Sequence, residues 1–391
     1  MNTYDSVLRR GLTSWDQEKI PKTELERRLD LIRTEMKARG IGVLIIHGDS
    51  WKYGDLCYAT HYSPMTREGV ALIPLEGDPV LYLSLGSRDI PFHQELTWIE
   101  EVTTLPTLTK ELAGRLQAWG VQGSPIGMVD VLENMRDPLY EAIRAQTRGS
   151  ALLPCTEWYR KLRLLKSPAE IPLLKEATGI ADFCFQEILR YLNPGLREFE
   201  LAAQADYAAR AHGAEDCRIL LTSGSDTDRF LRPAGDRKIG PGEKVTVYLA
   251  LAYQRYWTEL GRTIVVGGPN RQENLVLEET TKLYEQIVQS VGPGQGGLSS
   301  MAQAFHALQA HQEKHQAQSS VILQGIGLDR EEDPRIPISP TPSPLTPGMF
   351  LSARLTQFGP GIGAFFSEPL LVGANGCEIL TRTERRLYQA T

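Results

Sequence analysis

The chain has 391 residues, of which 41% are hydrophobic and 23% are charged, the proportions of a globular protein with an ordinary core. Its formal net charge of −6 gives no sign of a basic tract for a nucleic acid or an anionic membrane surface. The amino terminus lacks the apolar run of a secretory signal, and no stretch approaches the roughly 18 apolar residues of a membrane span. We therefore expect a cytoplasmic protein without nucleic-acid or membrane partners.

Five cysteines are scattered along the chain, and none of them forms a C-x-x-C pair. This spacing favours reduced, buried thiols over a disulfide framework or a zinc knuckle. Reduced thiols are again typical of a cytosolic protein.

Residues 1–160 alternate between helical and strand patterns. TELERRLDLIRTEMKARG has apolar residues at helical spacing and ends at Gly40, a typical helix terminator. IGVLIIHG is a short apolar run typical of a buried strand, and GVALIPLEGDPVLYLSL predicts two strands joined by a Gly-Asp-Pro turn. This alternation predicts an amino-terminal α/β domain.

A second domain is predicted from residue 161 to residue 391. Its first helix should start at Pro168, because Ser167 and Glu170 form a capping box around a proline at the first helical position, and it should run to about Arg190. A second helix ending at Gly213, a strand pair, two further helices and a set of strands follow. These elements predict an α+β domain with helices packed on a curved sheet.

The segment GPGQGG, residues 292–297, formally fits the pattern G-x-G-x-x-G. The dinucleotide fingerprint requires a preceding strand and a following helix in a βαβ unit. Here the glycines follow a predicted helix, so we interpret them as a helix stop and a loop, and we expect no nucleotide site.

The segment HQEKH places His311 and His315 one helical turn apart, which is the spacing of a possible ligand pair. It is not the H-E-x-x-H motif, because Glu313 stands at the third position. The surrounding QAHQEKHQAQ is polar on all sides, which favours a solvated helix face over a metal site.

Three ordered phrases carry a family resemblance: VTVYLALAYQRYWTELGRTIVVGG, LQGIGLDREEDP and LTPGMFLSARL…GIGAFFSEPLLVGANGCEILT. Together they resemble the creatinase/aminopeptidase P/prolidase superfamily. The amino-terminal half is similar to the family's first domain, so the resemblance covers essentially the whole chain. It implies a creatinase-like α/β domain over residues 1–160 and a pita-bread domain over residues 161–391. It also implies a homodimer, the common state of family members.

The resemblance implies five metal-ligand positions, which in active members hold two Asp, one His and two Glu around two divalent metals. Here these positions are Tyr248, Glu259, Gln324, Arg354 and Ser367, with Glu368 beside the last one, and Glu331 replaces the family's later catalytic His. Only Glu259 remains a strong ligand for a hard metal, and a guanidinium in the site would repel a dication. We therefore expect neither a metal nor another cofactor.

The polar residues at these positions are still compatible with acid–base chemistry. A Glu in a partly dry pocket has a raised pKa, so Glu259 is the candidate base, and Tyr248 and Glu331 are the other candidate catalytic groups. Arg354 is the candidate clamp for a substrate carboxylate. The remaining candidates for substrate binding are Gln324, Ser367, Glu368 and Tyr256. The alternative is that Glu259 and Arg354 form a buried salt bridge that replaces the charge balance of the metals.

These residues predict a metal-independent, creatinase-like enzyme that cleaves or hydrolyses a C–N or amide-like bond in a small polar substrate bearing a carboxylate. Creatinase activity itself is not expected, because the segment that carries the histidine base of creatinase corresponds to residues 219–235 and contains no histidine here. Two alternatives stay open. One is a catalytically silent pita-bread module that binds a peptide or protein, and the other is a metal-free isomerase or lyase on the same scaffold.

Overall fold

The computed structural model describes residues 11, 14–65, 67–267, 271–386 and 388–390, and the side chains of residues 271–274 are outside this description. The first ten residues, on which part of the secretory-signal argument depends, thus lie outside the described residues. The chain divides into two compact units, Met1–Arg163 and Leu164–Thr391. No helix in the described ranges is long and apolar enough to cross a membrane. All five cysteines are free thiols.

The first unit contains the following elements, in chain order: α1 (Lys22–Ala38), β1 (Val43–Asp49), α2 (Gly54–Thr60), β2 (Glu68–Pro74), β3 (Val80–Leu83), a 3₁₀ turn (Ser87–Asp89), α3 (Ile90–Gln94), β4 (Glu101–Thr104), α4 (Leu105–Ala118), β5 (Ile126–Val129), α5 (Val131–Asn134), α6 (Asp137–Gln146), β6 (Leu152–Pro154) and α7 (Thr156–Leu162).

Its six strands form one sheet in the order β4-β3-β2-β1-β5-β6. The strand β1 pairs with β2 in antiparallel and with β5 in parallel orientation. Because β1 lies inside the sheet, its apolar run is buried, and Val43 and Ile45 pack with Leu108 and Leu112 of α4 in one core. The prediction of an α/β domain is confirmed, including the two strands joined by the Gly-Asp-Pro turn.

The second unit contains these elements: α8 (Glu170–Tyr191), α9 (Glu198–Ala211), β7 (Asp216–Ser223), a 3₁₀ turn (Gly224–Asp228), β8 (Lys244–Tyr253), β9 (Tyr256–Val266), α10 (Arg271–Ser290), α11 (Gly294–His315), β10 (Gln318–Gly325), β11 (Glu332–Pro337), β12 (Phe350–Phe358), β13 (Ala364–Val372), β14 (Cys377–Ile379) and β15 (Tyr388–Ala390).

These strands form a nine-stranded sheet in the order β11-β10-β12-β13-β9-β8-β7, with β14 paired to β13 and β15 to β9. Successive residues of a strand point to opposite faces of its sheet. On one face, Leu249 and Leu260 share a core with α8 and α9, whereas Leu351 and Leu370 share a second core with α10 and α11. Two helix pairs therefore cover one face of the sheet, and the predicted fold class is confirmed.

Two predicted helix starts differ from the observed ones. The helix α8 begins at Glu170 rather than at Pro168, although the Glu170 carboxylate does accept a 2.8 Å hydrogen bond from the backbone N–H of Ser167, one half of the capping box. The glycine segment 292–297 is not all loop, because α11 begins at Gly294. Glycine is a weak helix former, so these residues did not by themselves predict a helical start.

Candidate functional site

Polar side chains from four neighbouring strands meet on the face of the sheet that lies opposite the two helix pairs. Because Leu249, Leu260, Leu351 and Phe366 point into the helix-covered cores, the residues next to them in each strand point the other way. The register places Arg354 directly opposite Ser367 and places Ala250, two residues after Tyr248, opposite Glu259. The side chains brought together are Tyr248, Glu259, Ser352, Arg354 and Ser367.

The Glu259 carboxylate is the centre of this group, and its exposed fraction is 0%. Its Oε1 accepts hydrogen bonds from the hydroxyls of Ser352 and Ser367 and, at 2.7 Å, from Nε of Arg354. Its Oε2 accepts from Nη2 of Arg354 at 2.5 Å and from the Tyr248 hydroxyl at 2.8 Å. A carboxylate has about four lone-pair sites, so these five donors saturate Glu259.

This environment sets the pKa of both catalytic candidates. Burial tends to raise the pKa of Glu259, but the charge and hydrogen bonds of Arg354, together with the two serine hydroxyls, outweigh burial and hold that pKa below its usual range. Burial and the adjacent Glu259 charge raise the pKa of Tyr248, so its phenol keeps its proton. The expectation of a raised pKa for Glu259 is wrong, because the expected dry pocket contains a paired guanidinium.

Arg354 directs one edge of its guanidinium inward and one nitrogen outward. Its Nε and Nη2 form a bidentate pair with Glu259, and its side chain is 17% exposed. The outward Nη1 lies 3.4 Å from Oε1 of Glu331, a side chain that is 49% exposed. The same Glu331 oxygen lies 3.1 Å from Nη2 of Arg330, whose Nη1 donates to the Tyr248 hydroxyl at 3.2 Å. Glu331 therefore bridges two arginines at the rim of the site.

Gln324 lies near this group but is bound to the backbone. It pairs in register with Ser352, and its side-chain amide donates to the carbonyl of Glu332 at 2.5 Å. The Glu332 carboxylate is held in turn by the buried Lys166 at 2.8 Å and by the backbone N–H of Asp329 at 2.9 Å. Gln324 thus helps to fix the turn that carries the rim residues, whereas the sequence suggested direct contact with substrate.

Two predicted site residues lie on the wrong face. Glu368 follows Ser367 in β13 and points away from the group, where its carboxylate is fully buried and paired with Arg262 at 2.8 Å. Tyr256 shares the face of Thr258 and Leu260, the latter in the core beneath α8 and α9, and it is fully buried. Strand alternation turns both side chains away from the group, so the structure does not bring Glu368 and Tyr256 together with the other predicted site residues.

Two residues of the site were missed in the sequence. Ser352 stands two residues before Arg354 in β12, and the period of two along a strand would have placed both on one face. Arg330 precedes Glu331 in the turn after β10, and that turn carries no regular pattern from which its direction could be predicted. Its contact with Tyr248 therefore depends on the tertiary structure.

Family models match both units of the chain. The model of the creatinase/prolidase N-terminal domain matches residues 28–165. The model of metallopeptidase family M24 matches residues 172–374, which is more than half of the chain. The chain belongs to metallopeptidase family M24. The superfamily resemblance inferred from the three phrases is confirmed.

Two relatives illustrate the similarity of this chain to individual proteins. An Xaa-Pro dipeptidase of Pyrococcus horikoshii is 30% identical over 233 residues, which are 58% of this chain and 65% of that protein. This chain thus spans just under two thirds of that dipeptidase. An uncharacterized hydrolase/peptidase, y4tL, of Sinorhizobium fredii is 24% identical over 395 residues, covering 94% of this chain and 97% of that protein.

Solved structures share the fold over nearly the whole chain. The Xaa-Pro dipeptidase from Bacillus anthracis aligns with a TM-score of 0.77 at 21% identity, over 93% of this chain and 99% of its own. The X-Pro aminopeptidase from Thermotoga maritima aligns with a TM-score of 0.78 at 20% identity, also over 93% and 99%. At this identity the similarity establishes the fold of this M24 member and nothing about its substrate.

The donor set at the five ligand positions does not fit a centre of two divalent metals. Glu259 is the only carboxylate among the five positions, and all its lone pairs are engaged. The Arg354 guanidinium is bonded directly to that carboxylate, so its positive charge stands where a dication would need anionic oxygen ligands. Tyr248 retains its proton, and Ser367 offers only a hydroxyl. Arg354 supplies the positive charge that balances Glu259.

Proposed function

We propose that this chain is a metal-independent member of family M24 whose pita-bread site binds a small ligand through a carboxylate. The observation that carries the proposal is the position of Glu331, a half-exposed carboxylate whose Oε1 bridges Arg330 at 3.1 Å and Arg354 at 3.4 Å. These two arginines therefore already hold a carboxylate at the rim of the site.

A ligand carboxylate can replace the Glu331 carboxylate at low cost. The Glu331 side chain is exposed enough to turn into water, and exposed ion pairs contribute only about 0–1 kcal/mol. A ligand in the same place would accept from Nη2 of Arg330 and Nη1 of Arg354. The Tyr248 hydroxyl, 3.2 Å from Nη1 of Arg330, lies beside this anion position. The sequence suggested that Arg354 clamps a substrate carboxylate. In this geometry only its outward nitrogen, Nη1, is available for a ligand.

The saturation of Glu259 favours binding over proteolysis by a metal-activated water. A general base needs a free lone pair and a pKa near the working pH. Glu259 has neither, because five donors occupy its oxygens and its pKa is lowered. Of the alternatives drawn from the sequence, the buried Glu259–Arg354 pair and a catalytically silent binding module have the stronger support.

Metal-independent cleavage of a C–N or amide bond is the second candidate function. It is supported by the relatives named Xaa-Pro dipeptidase and by the protonated Tyr248 hydroxyl near the solvent-exposed Glu331. In this candidate Glu331 takes the base role assigned to Glu259 and removes a proton from water as the water oxygen bonds to the carbonyl carbon. The C–N bond then breaks, and the leaving nitrogen takes the proton of Tyr248, whose hydroxyl turns from Glu259 to do so. The proton on Glu331 afterwards returns to Tyr248. An isomerase or lyase would use the same two groups, and the identity of the product distinguishes it.

The proposal is tested by isothermal titration of the full chain in EDTA with a glycyl-proline dipeptide, its C-terminal amide and creatine. We expect the free carboxylates to bind and the amide to bind at least about tenfold more weakly, the loss of one charge-assisted contact. Arg330→Gln should weaken carboxylate binding, whereas the exposed Arg335→Gln serves as the control. Equal binding of acid and amide would overturn the proposal.

The same samples separate binding from catalysis. Incubation in EDTA followed by amino-acid analysis reports cleavage, and loss of cleavage in Glu331→Gln would establish the second candidate. Cleavage that requires added manganese would refute metal independence altogether. Homodimerisation and a cytoplasmic location are part of the proposal and are open to sedimentation and fractionation experiments.

A further inference from the structure

The helix α11 is not a solvated helix throughout its length. Met301, Ala304, Leu308 and His311 recur on one side of the helix and are all buried, and they pack towards the core shared with α10. His311 is only 8% exposed. The expectation that HQEKH forms a solvated face is wrong for His311. This residue continues the apolar stripe of Met301, Ala304 and Leu308, and it therefore points into the protein.

His311 and His315 meet a carboxylate from the neighbouring helix. One imidazole nitrogen of each histidine and one carboxylate oxygen of Glu279, in α10, all lie within 4.8 Å of one another. Nε2 of His315 is 2.8 Å from Oε2 of Glu279, and the centroids of the two imidazole rings are 4.5 Å apart. The His315 side chain is 12% exposed and the Glu279 side chain 40%, so the group is open to solvent on one side.

The contacts of Thr280 determine which nitrogen of His311 has a free lone pair. The Thr280 hydroxyl donates to the carbonyl of Val276 at 2.8 Å, the shorter of its contacts, and we therefore assign its oxygen as the acceptor towards Nε2 of His311 at 3.3 Å. Nε2 then carries the proton, and Nδ1 carries the lone pair. Nδ1 is buried and has no hydrogen-bond partner among the described residues. A buried imidazole nitrogen without a partner is unusual, and a bound cation would satisfy it.

We propose that Glu279, His311 and His315 form a binding site for a late first-row divalent cation, with zinc the preferred ion. Two imidazoles and one carboxylate are a common zinc donor set, and water completes the coordination. Imidazole donors favour zinc, copper and nickel, whereas magnesium and calcium prefer oxygen ligands. The Thr280 hydroxyl would orient the His311 ligand, as outer-sphere partners of metal-bound histidines commonly do. This site lies on the helices and uses none of the five M24 ligand positions.

When no metal is bound, the Lys314 ammonium occupies part of this site. Its Nζ is 2.6 Å from Oε2 of Glu279, the same oxygen that His315 approaches. Its side chain is 60% exposed, so it can withdraw into water when a cation binds. The site therefore exchanges one lysine ammonium for one divalent cation.

The test is titration of the full chain, purified in EDTA and dialysed, with zinc chloride alone. We expect one zinc ion per chain bound through this group, and at least about tenfold weaker binding in His315→Gln and in Glu279→Gln, since each loses one of three protein ligands. His306→Gln is the matched control, because His306 is an exposed histidine of the same helix. Neither tested ligand is fully buried, so these variants should fold.

A fourth variant gives an effect of opposite sign. Lys314→Gln removes the competing ammonium and should strengthen zinc binding, which general damage to α11 would not do. Cobalt chloride should give the visible absorption bands of a low-coordinate Co²⁺ site in the wild type and in His306→Gln but not in His315→Gln. Zinc binding that is unchanged in both His315→Gln and Glu279→Gln would place the ion elsewhere and overturn the proposal, as would the absence of zinc binding by the wild type.

Discussion

Replacing Arg354 with methionine removes the positive partner of a fully buried carboxylate. Glu259 would lose two of its five hydrogen bonds, those from Nε and Nη2, and would keep the donors Tyr248, Ser352 and Ser367. Methionine retains much of the apolar volume of the arginine stem, so the change is mainly electrostatic. The variant therefore measures how much the Arg354 guanidinium stabilises the buried Glu259 carboxylate.

The expected loss follows from the burial of Glu259. Removing one partner of a buried ion pair costs about 3–5 kcal/mol, because the remaining charge is left uncompensated. The three hydroxyl donors that remain place the expected value at the lower end, about 3 kcal/mol. For a domain of this size each kcal/mol lowers the melting temperature by about 2–4 °C. We therefore expect Arg354→Met to melt about 6–12 °C below the wild type at neutral pH.

The pH dependence of this loss has a definite sign. In the wild type the pKa of Glu259 is depressed, so its stabilisation is present above the unfolded pKa of about 4.3 and is lost as the pH falls through the folded value. Without Arg354 burial raises that pKa, so ionised Glu259 destabilises the variant above about pH 4.3. The deficit in melting temperature should thus narrow as the pH is lowered from 7 towards 4.5.

Differential scanning calorimetry of wild type, Arg354→Met and the double variant Glu259→Gln/Arg354→Met measures this prediction. The double variant removes the buried charge, its amide oxygen can still accept from the Ser352 and Ser367 hydroxyls, and its amide N–H can donate to the Tyr248 oxygen. It should therefore recover much of the loss. The exposed Arg335→Met is the control for removing an arginine from the surface. An unchanged melting temperature in Arg354→Met, or a deficit that does not depend on pH, would refute the buried ion pair.

Three further predictions concern other parts of the chain. Burial lowers the pKa of His47, but its contacts with Asp130 and Glu68 outweigh burial and raise that pKa to about 9. The stabilisation from protonated His47 is therefore complete below about pH 6.5 and is lost as the pH rises through 9. The melting temperature should fall between pH 7 and pH 10, and it should fall less in His47→Gln. Gly261→Ala should destabilise the protein by about 1–3 kcal/mol, because the added Cβ would overlap the Phe365 ring and lie 2.9 Å from a backbone nitrogen of β13. Unfolding in urea measures this loss, and an unchanged free energy of unfolding would contradict the close packing of Gly261 on Phe365. Glu368→Ala should cost about 3 kcal/mol, since the fully buried Arg262 guanidinium loses its carboxylate partner and keeps only hydrogen bonds to backbone carbonyls. A calorimetric loss below about 1 kcal/mol would contradict this.

Much of the candidate site follows from local sequence patterns. The period of two along a strand is enough to place Ser352 and Arg354 on one face of β12 and to separate Ser367 from Glu368. The short turn between β8 and β9 brings Tyr248 near Glu259, because the hairpin register places Ala250 opposite Glu259. The ordered phrases also predicted the second unit, because they lie on strands and turns of the pita-bread sheet, whereas the alternation of helix and strand patterns predicted the first unit.

The partners of these side chains were decided by the tertiary structure. The sequence left Arg354 free to hold either Glu259 or a ligand, because the two residues are 95 positions apart and a local pattern does not specify which distant strand lies beside another. The neighbourhood of β9, β12 and β13 brings two serine hydroxyls and the guanidinium onto a single carboxylate, and burial makes this pairing far stronger than a contact in water.

For the pair His311 and His315, the sequence determined the spacing and the tertiary structure determined the surroundings. The sequence determined that His311 and His315 are one helical turn apart, and it contained a polar neighbourhood that suggested solvent. Only the packing of α11 against α10 buries His311 and brings Glu279 within ligand distance of both rings. Spacing along a helix determines which side chains share a face. The structure that packs against that face determines whether they meet water, a core or a third ligand.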